Sequence, residues 1–111
     1  MEFIALETLD KLEEIQQAKG YSIILKHNTT CPISKGVLQR LHEEGDAIKV
    51  VDTIYVLDLL AHRDISDRIE EMFEVKHESP QLLLIKDGTC IYNEWGFDIS
   101  AEATAEALAE A

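Results

Sequence analysis

"YSIILKHNTTCPISKGVLQRLHEEG", residues 21–45, decides the fold. Its first seven residues are an almost continuous apolar run of strand length, the mark of a strand covered on both faces. From Pro32 the period changes. Ile33, Val37 and Leu41 fall on one helical face, proline suits a first helical position, and Gly45 stops the run, so a helix is predicted over 32–44. Gly36 inside that helix costs about 1 kcal/mol against alanine, which suggests a close backbone contact. A strand thus gives way to a helix with Cys31 at the junction.

Working outward, Leu9, Leu12 and Ile15 recur at helical spacing between Thr8, a capping residue, and Gly20. "TIYVLDLL", residues 53–60, reads as a buried parallel strand, and a helix from about Asp64 to Phe73 turns Ile65, Ile69, Met72 and Phe73 inward. "QLLLI" is a strand, the following "DG" is a hairpin turn, and "TCIYN" returns antiparallel. Trp95 is expected to pack where the last helix begins, and Ser100 to cap that Ala/Glu-rich helix. The order α-β-α-β-α-β-β-α predicts an α/β three-layer sandwich, a mixed sheet of about four strands flanked by helices, in a single domain over 1–111.

A chain of 111 residues, 46% of them hydrophobic, is long enough to bury a real core and too apolar for disorder. No run approaches the ~20 residues that span a bilayer. "MEFIALETLDKLEE" lacks the basic start of a secretory signal, so a cytoplasmic protein is expected. The two cysteines, Cys31 and Cys90, are expected to be free thiols; no C-x-x-C is present and the four histidines are scattered, so no structural zinc is expected. A formal charge of −12 argues against nucleic acid or an anionic membrane as partner. Residues 15–42 nevertheless contain no acid, only Lys19, Lys26, Lys35, Arg40, His27 and His42. Either a partly buried segment lacks acids by chance, or a local field there favours an anion.

The first turn of a helix presents unpaired N–H groups and about half a positive charge, and both favour a thiolate over a thiol. Junctions at the carboxyl ends of parallel strands face solvent and ligands. Cys31 is therefore read as a reactive thiol, with the Ser34 hydroxyl aimed back at the sulfur. A Cys-x-x-Ser site cannot close an internal disulfide; it can attack a mixed disulfide, hold the small thiol as an adduct and wait for a second thiol to release it. Cys90 does not supply that thiol: strand 81–86 runs about 20 Å away from the site before the hairpin turns, and a bridge needs Cα atoms within about 7 Å.

"TTCPIS", with "LKH" before it and "KHESPQ" later, resembles the YtxJ family of monothiol bacilliredoxins, the bacillithiol-system redox-active proteins. The resemblance covers nearly the whole chain, and "TCPIS" with "ESPQ" at 78–81 is its specific part. It implies a thioredoxin-like fold and removal of bacillithiol from mixed disulfides on client proteins. It makes Cys31 the nucleophile, with Ser34 where a dithiol thioredoxin has its resolving cysteine. It implies a cis Ser79–Pro80 bond with the Ser79 backbone paired to substrate. Thr30 and Pro32, flanking the nucleophile, are expected to contact substrate as well. No bound cofactor is expected, and the low-molecular-weight thiol is a co-substrate. Two other functions stay open: an iron–sulfur or thiol-adduct carrier of the monothiol glutaredoxin type, and an inactive thioredoxin-like interaction module. Lys26 lies five residues before Cys31, too far by counting to match the thiol-binding lysine of glutaredoxins; His27 and His77 are assigned no proton-transfer role.

Overall fold

A computed structural model describes residues 1–111. Five strands, β1 (Glu2–Ala5), β2 (Tyr21–His27), β3 (Thr53–Asp58), β4 (Gln81–Lys86) and β5 (Thr89–Trp95), form one sheet in the order β1-β3-β2-β4-β5. The first three in that order run parallel; β4 and β5 run antiparallel to their neighbours. Helices α1 (Leu9–Gln17) and α3 (Arg63–Phe73) cover one face, α2 (Pro32–Glu44) and α4 (Ala101–Glu110) the other. The expected element order holds, with one further strand in front of it. β1 has four residues and bonds to β3 alone.

The two apolar layers follow from strand geometry, which sends successive side chains to opposite faces. Ile23 and Leu25 of β2, with Leu82 and Leu84 of β4, join Val37 and Leu41 of α2. Ile24, Leu83 and Ile85 join Leu12, Ile65 and Ile69 of α1 and α3. Because both faces are covered, neither strand alternates with polar residues. The last helix docks through Ala101, Thr104 and Leu108, and Ser100 caps it by accepting from the Ala103 N–H. No helix is long and apolar enough to cross a membrane.

The two glycines that matter most have opposite accounts. Gly88 turns the β4–β5 hairpin at φ +83, and a Cβ there would meet the Gln16 carbonyl oxygen at 2.6 Å, so no side chain fits. Gly36 is different. It is exposed, and a Cβ would meet nothing within 4 Å, so close packing is not what requires it. Gly36→Ala is expected to stabilise the fold by about 0.5–1 kcal/mol, raising Tm by a few degrees, because alanine restricts the unfolded chain and favours helix. Thermal unfolding checks this; a lowered Tm would show that the bare backbone is used.

Candidate active site

β2 ends at His27, and a short loop carries the chain into α2. Asn28 shapes that loop. Its side-chain oxygen accepts from the Thr30 N–H at 2.9 Å and from the Thr30 hydroxyl at 2.8 Å, and its carbonyl accepts from the Cys31 N–H at 3.2 Å. Cys31 is the N-cap of α2, with extended backbone, and its side chain makes no capping bond. Its carbonyl accepts from the Lys35 N–H at 3.0 Å. The sulfur-bearing residue is half-buried, and Pro32, exposed at the first helical position, has no N–H. The N–H groups of Ile33 and Ser34 find no partner in the chain. They are the orphan donors of the helix start, where its dipole is positive.

Ser34 is 0% exposed. Its hydroxyl oxygen lies 2.7 Å from His27 Nδ1 and accepts from the Asn28 N–H at 2.9 Å. No hydrogen bond joins it to the Cys31 sulfur, contrary to the sequence reading. The reason is competition: two nitrogen groups at the end of β2 are stronger partners than a sulfur. Burial lowers the His27 pKa from its usual value, Asp58 pulls it back up, and Lys35 adds to the lowering. Asp58 also corrects the acid-free window, since the parallel register places it level with His27. Its carboxylate is held by the N–H groups of Leu60 and Ala61.

The opposite wall is the Ser79–Pro80 segment, whose peptide bond is cis. The β2–β4 register pairs Lys26 with Gln81, so Pro80 comes level with His27. The Pro80 carbonyl accepts from the Gly96 N–H at 3.1 Å. Neither the N–H nor the carbonyl of the exposed Ser79 has a partner in the chain. A free stretch of backbone thus lies on the same end of the sheet as Cys31.

The segment ahead of Ser79 is anchored from inside by a residue whose place the sequence did not reveal. Lys26 is 0% exposed. Its ammonium donates to the Ser66 carbonyl at 3.2 Å and to His77 Nδ1 at 3.0 Å, while Glu70 accepts from the His77 N–H at 2.7 Å. Burial lowers the Lys26 pKa to about 8, against the attraction of Glu70 and Asp67. Lying in the α1/α3 layer, this lysine serves no surface ligand. Trp95 departs from expectation too. It is 51% exposed at the end of β5, beside Gln81, and Phe97 is 69% exposed two residues on.

Cys90 pairs with Ile85, which in turn lies opposite Ser22. Five residues of β2 separate that level from His27, about 17 Å at strand spacing, so the two cysteines occupy opposite ends of the sheet. Burial pushes the Cys90 thiol up from its usual pKa, and its S–H donates to the Tyr92 carbonyl. No group of three or more His, Cys, Asp or Glu side chains is placed to hold a metal ion. The arrangement can present one half-exposed sulfur, at a positive helix end, to a disulfide held along the Ser79 backbone.

Over residues 4–104 the chain matches the family described as monothiol bacilliredoxin BrxC. A solved structure described as a proposed oxidoreductase with a thioredoxin fold is 33% identical, with a TM-score of 0.82 over 96% of this chain and 93% of that one. Mitochondrial thioredoxin 3 from Saccharomyces cerevisiae, in its oxidised form, is 19% identical, with a TM-score of 0.74 over 98% of this chain and 95% of that one. Thioredoxin from Trypanosoma brucei brucei is 9% identical, with a TM-score of 0.79 over 98% and 89% of the two chains. The last two share the fold, and the fold is that of thioredoxin.

Proposed function

The chain belongs to the monothiol bacilliredoxin family, and on that premise we propose that it removes a low-molecular-weight thiol, bacillithiol, from mixed disulfides on client proteins in the cytoplasm. Membership in a family of thioredoxin-like oxidoreductases supports thiol–disulfide exchange as the chemistry. The observation that carries the finer reading is the half-exposed Cys31 at the start of α2, with no second cysteine within reach. The Cys31 thiolate attacks the bacillithiol sulfur of the mixed disulfide. A new Cys31–bacillithiol disulfide forms, the old bond breaks, and the client leaves as a thiolate. A second thiol then releases the adduct. Ser34 supports the site from beneath, and Thr30, Pro32, Ser79 and Pro80 form its rim. The client's extended backbone pairs with Ser79, whose groups are free. The net charge of −12 disfavours nucleic acid or an anionic membrane as the partner.

The test is a competition. Reduced protein is exposed to the disulfides of bacillithiol, glutathione and coenzyme A together, and the intact mass and the adduct-bearing peptide are read. A bacillithiol adduct on Cys31 in clear excess is expected. An adduct on Cys90, or no preference among the three thiols, would overturn the assignment.

A further inference from the structure

α2 carries Lys35, Leu38, Gln39 and His42 on the face that continues from Cys31. With His27 and Glu43 they line a cleft of about 410 Å³, within the size range of small-ligand sites. The His42 ring stacks on Phe3 of β1 with centroids 3.7 Å apart, so the cleft opens on the β1/β3 side of α2. Ser79 lies on the β4 side, so a molecule in the cleft leaves the proposed client backbone clear. One buried polar atom in the cleft wall has no partner. His27 is 8% exposed, and its Nε2 bonds to nothing in the chain and is not sealed from solvent. The hydrogen-bond network assigns the proton on that atom. Ser34 Oγ accepts from the Asn28 N–H, and His27 Nδ1, 2.7 Å away, is the one acceptor bonded to its hydroxyl. Nδ1 therefore accepts, and the neutral ring carries its hydrogen on Nε2. Burial lowers the His27 pKa, which keeps the ring neutral near neutrality.

We infer that this cleft holds the carboxylate end of the small thiol that Cys31 carries as an adduct. The inference deepens the proposed function and rests on it, since Cys31 must be the sulfur that takes up the thiol. In bacillithiol that end is a malate. The cleft offers it a cation and a donor. Lys35 is one turn from Cys31, its own N–H bonded to the Cys31 carbonyl at 3.0 Å. Its ammonium is close enough to oppose the charging of His27. The His27 Nε2–H donates into the same space. Two acids stand near, and both are engaged. Asp58, level with His27, accepts from the N–H groups of Leu60 and Ala61. Glu43 accepts from Gln39 Nε2 at 3.1 Å. It sits two turns beyond Lys35, about 12 Å along the helix, where it bounds the positive stretch. The cleft on the Ser79 side has the opposite balance, with Glu74 and Glu78 against Lys76. A carboxylate tail is therefore drawn along α2 and away from the client's side. The acid-free window of residues 15–42 gains a use here, because it keeps carboxylates off the helix face next to the adduct.

The test compares two disulfides that differ in charge and little else, dithiodipropionate and its diamide. The Cys31 thiolate attacks one sulfur of either, forms the mixed disulfide and expels the other half as a thiolate. Adduct formation is followed by intact mass, and each rate is divided by that of the same disulfide with free mercaptoethanol. The parent should favour the carboxylate. Lys35→Gln should cut that preference about threefold, the effect of one charge a few ångströms away in water. Lys76→Gln removes an equal charge from the Ser79 side and should leave the preference unchanged. Both lysines are exposed, so neither change threatens the fold. No preference in the parent, an unchanged ratio in Lys35→Gln, or an equal fall in both variants would overturn the site. A protein that shows the expected pattern yet does not select bacillithiol in the competition fails the functional reading and not this one. One that selects bacillithiol with the Lys35→Gln ratio unchanged fails this inference alone. No adduct on Cys31 from any disulfide overturns both.

Discussion

Cys31→Ser is expected to lower thiol transfer by about a thousandfold or more, the scale of losing a covalent nucleophile, while Cys90→Ser keeps most of it. The Cys31 side chain makes no capping bond, so serine there changes the chemistry and spares the fold. Oxygen at that position cannot form the mixed disulfide through which the small thiol must pass. Cys90 lies level with Ser22, at the far end of the sheet, with its thiol raised in pKa by burial. Release of bacillithiol from a modified client, followed by mass, measures both variants. If Cys90→Ser loses transfer while its thermal unfolding is unchanged, the one-cysteine mechanism is wrong.

Ser34→Cys is expected to convert a thiol-holding site into one that clears itself. The Cys31–bacillithiol adduct would be attacked by a thiolate at position 34, releasing the small thiol and leaving a 31–34 disulfide. Oxidised protein should then show a loss of about 2 Da, from two hydrogens shed, in place of a stable adduct. The gain has a cost in the reduced state. The Ser34 hydroxyl satisfies His27 Nδ1 and the Asn28 N–H in a fully buried position, and sulfur bonds both more weakly. Reduced Ser34→Cys should therefore be about 1–2 kcal/mol less stable than the parent, and its oxidised form should regain that stability. Intact mass under oxidation and unfolding with and without reductant read the two effects separately. A variant that accumulates only the adduct would show that residue 34 does not reach the sulfur.

Much of this was legible because local rules and the fold agree. Proline after a capping position and glycine past the end fix α2 at Pro32–Glu44. "DG" fixes the hairpin, with Asp87 and Gly88 both at positive φ. β1 was missed because four edge residues are too few to show a period. The cis Ser79–Pro80 bond follows from the family resemblance and not from the residues, since only about 5–6% of such bonds are cis. The partners of Ser34 were out of reach because its nearest groups, His27 and the Asn28 N–H, come from the preceding strand and loop, where only the folded geometry sets distances. The place of Lys26 was out of reach for a related reason: its partners arrive from Ser66 and His77, far along the chain. Trp95, a large aromatic expected to pack where the last helix begins, is instead half-exposed.

The buried ammonium of Lys26 sets heat resistance and function at odds. Taking that charge out of water is costly, and a well-packed apolar side chain of similar volume is often as stabilising or more so. Ser66 and His77 would lose little if it went, because His77 is near enough to solvent to bond water instead. What would go with it is one of the ties on the chain two residues ahead of Ser79, beside the Glu70 carboxylate and the Ser66 hydroxyl, and so part of what fixes the backbone that clients are proposed to meet. Laboratory selection for thermal survival alone would therefore drift away from lysine at position 26. Selection that also demanded turnover would hold it in place, so a lysine retained through such a contest would mark a demand of function that the stability of the fold does not explain.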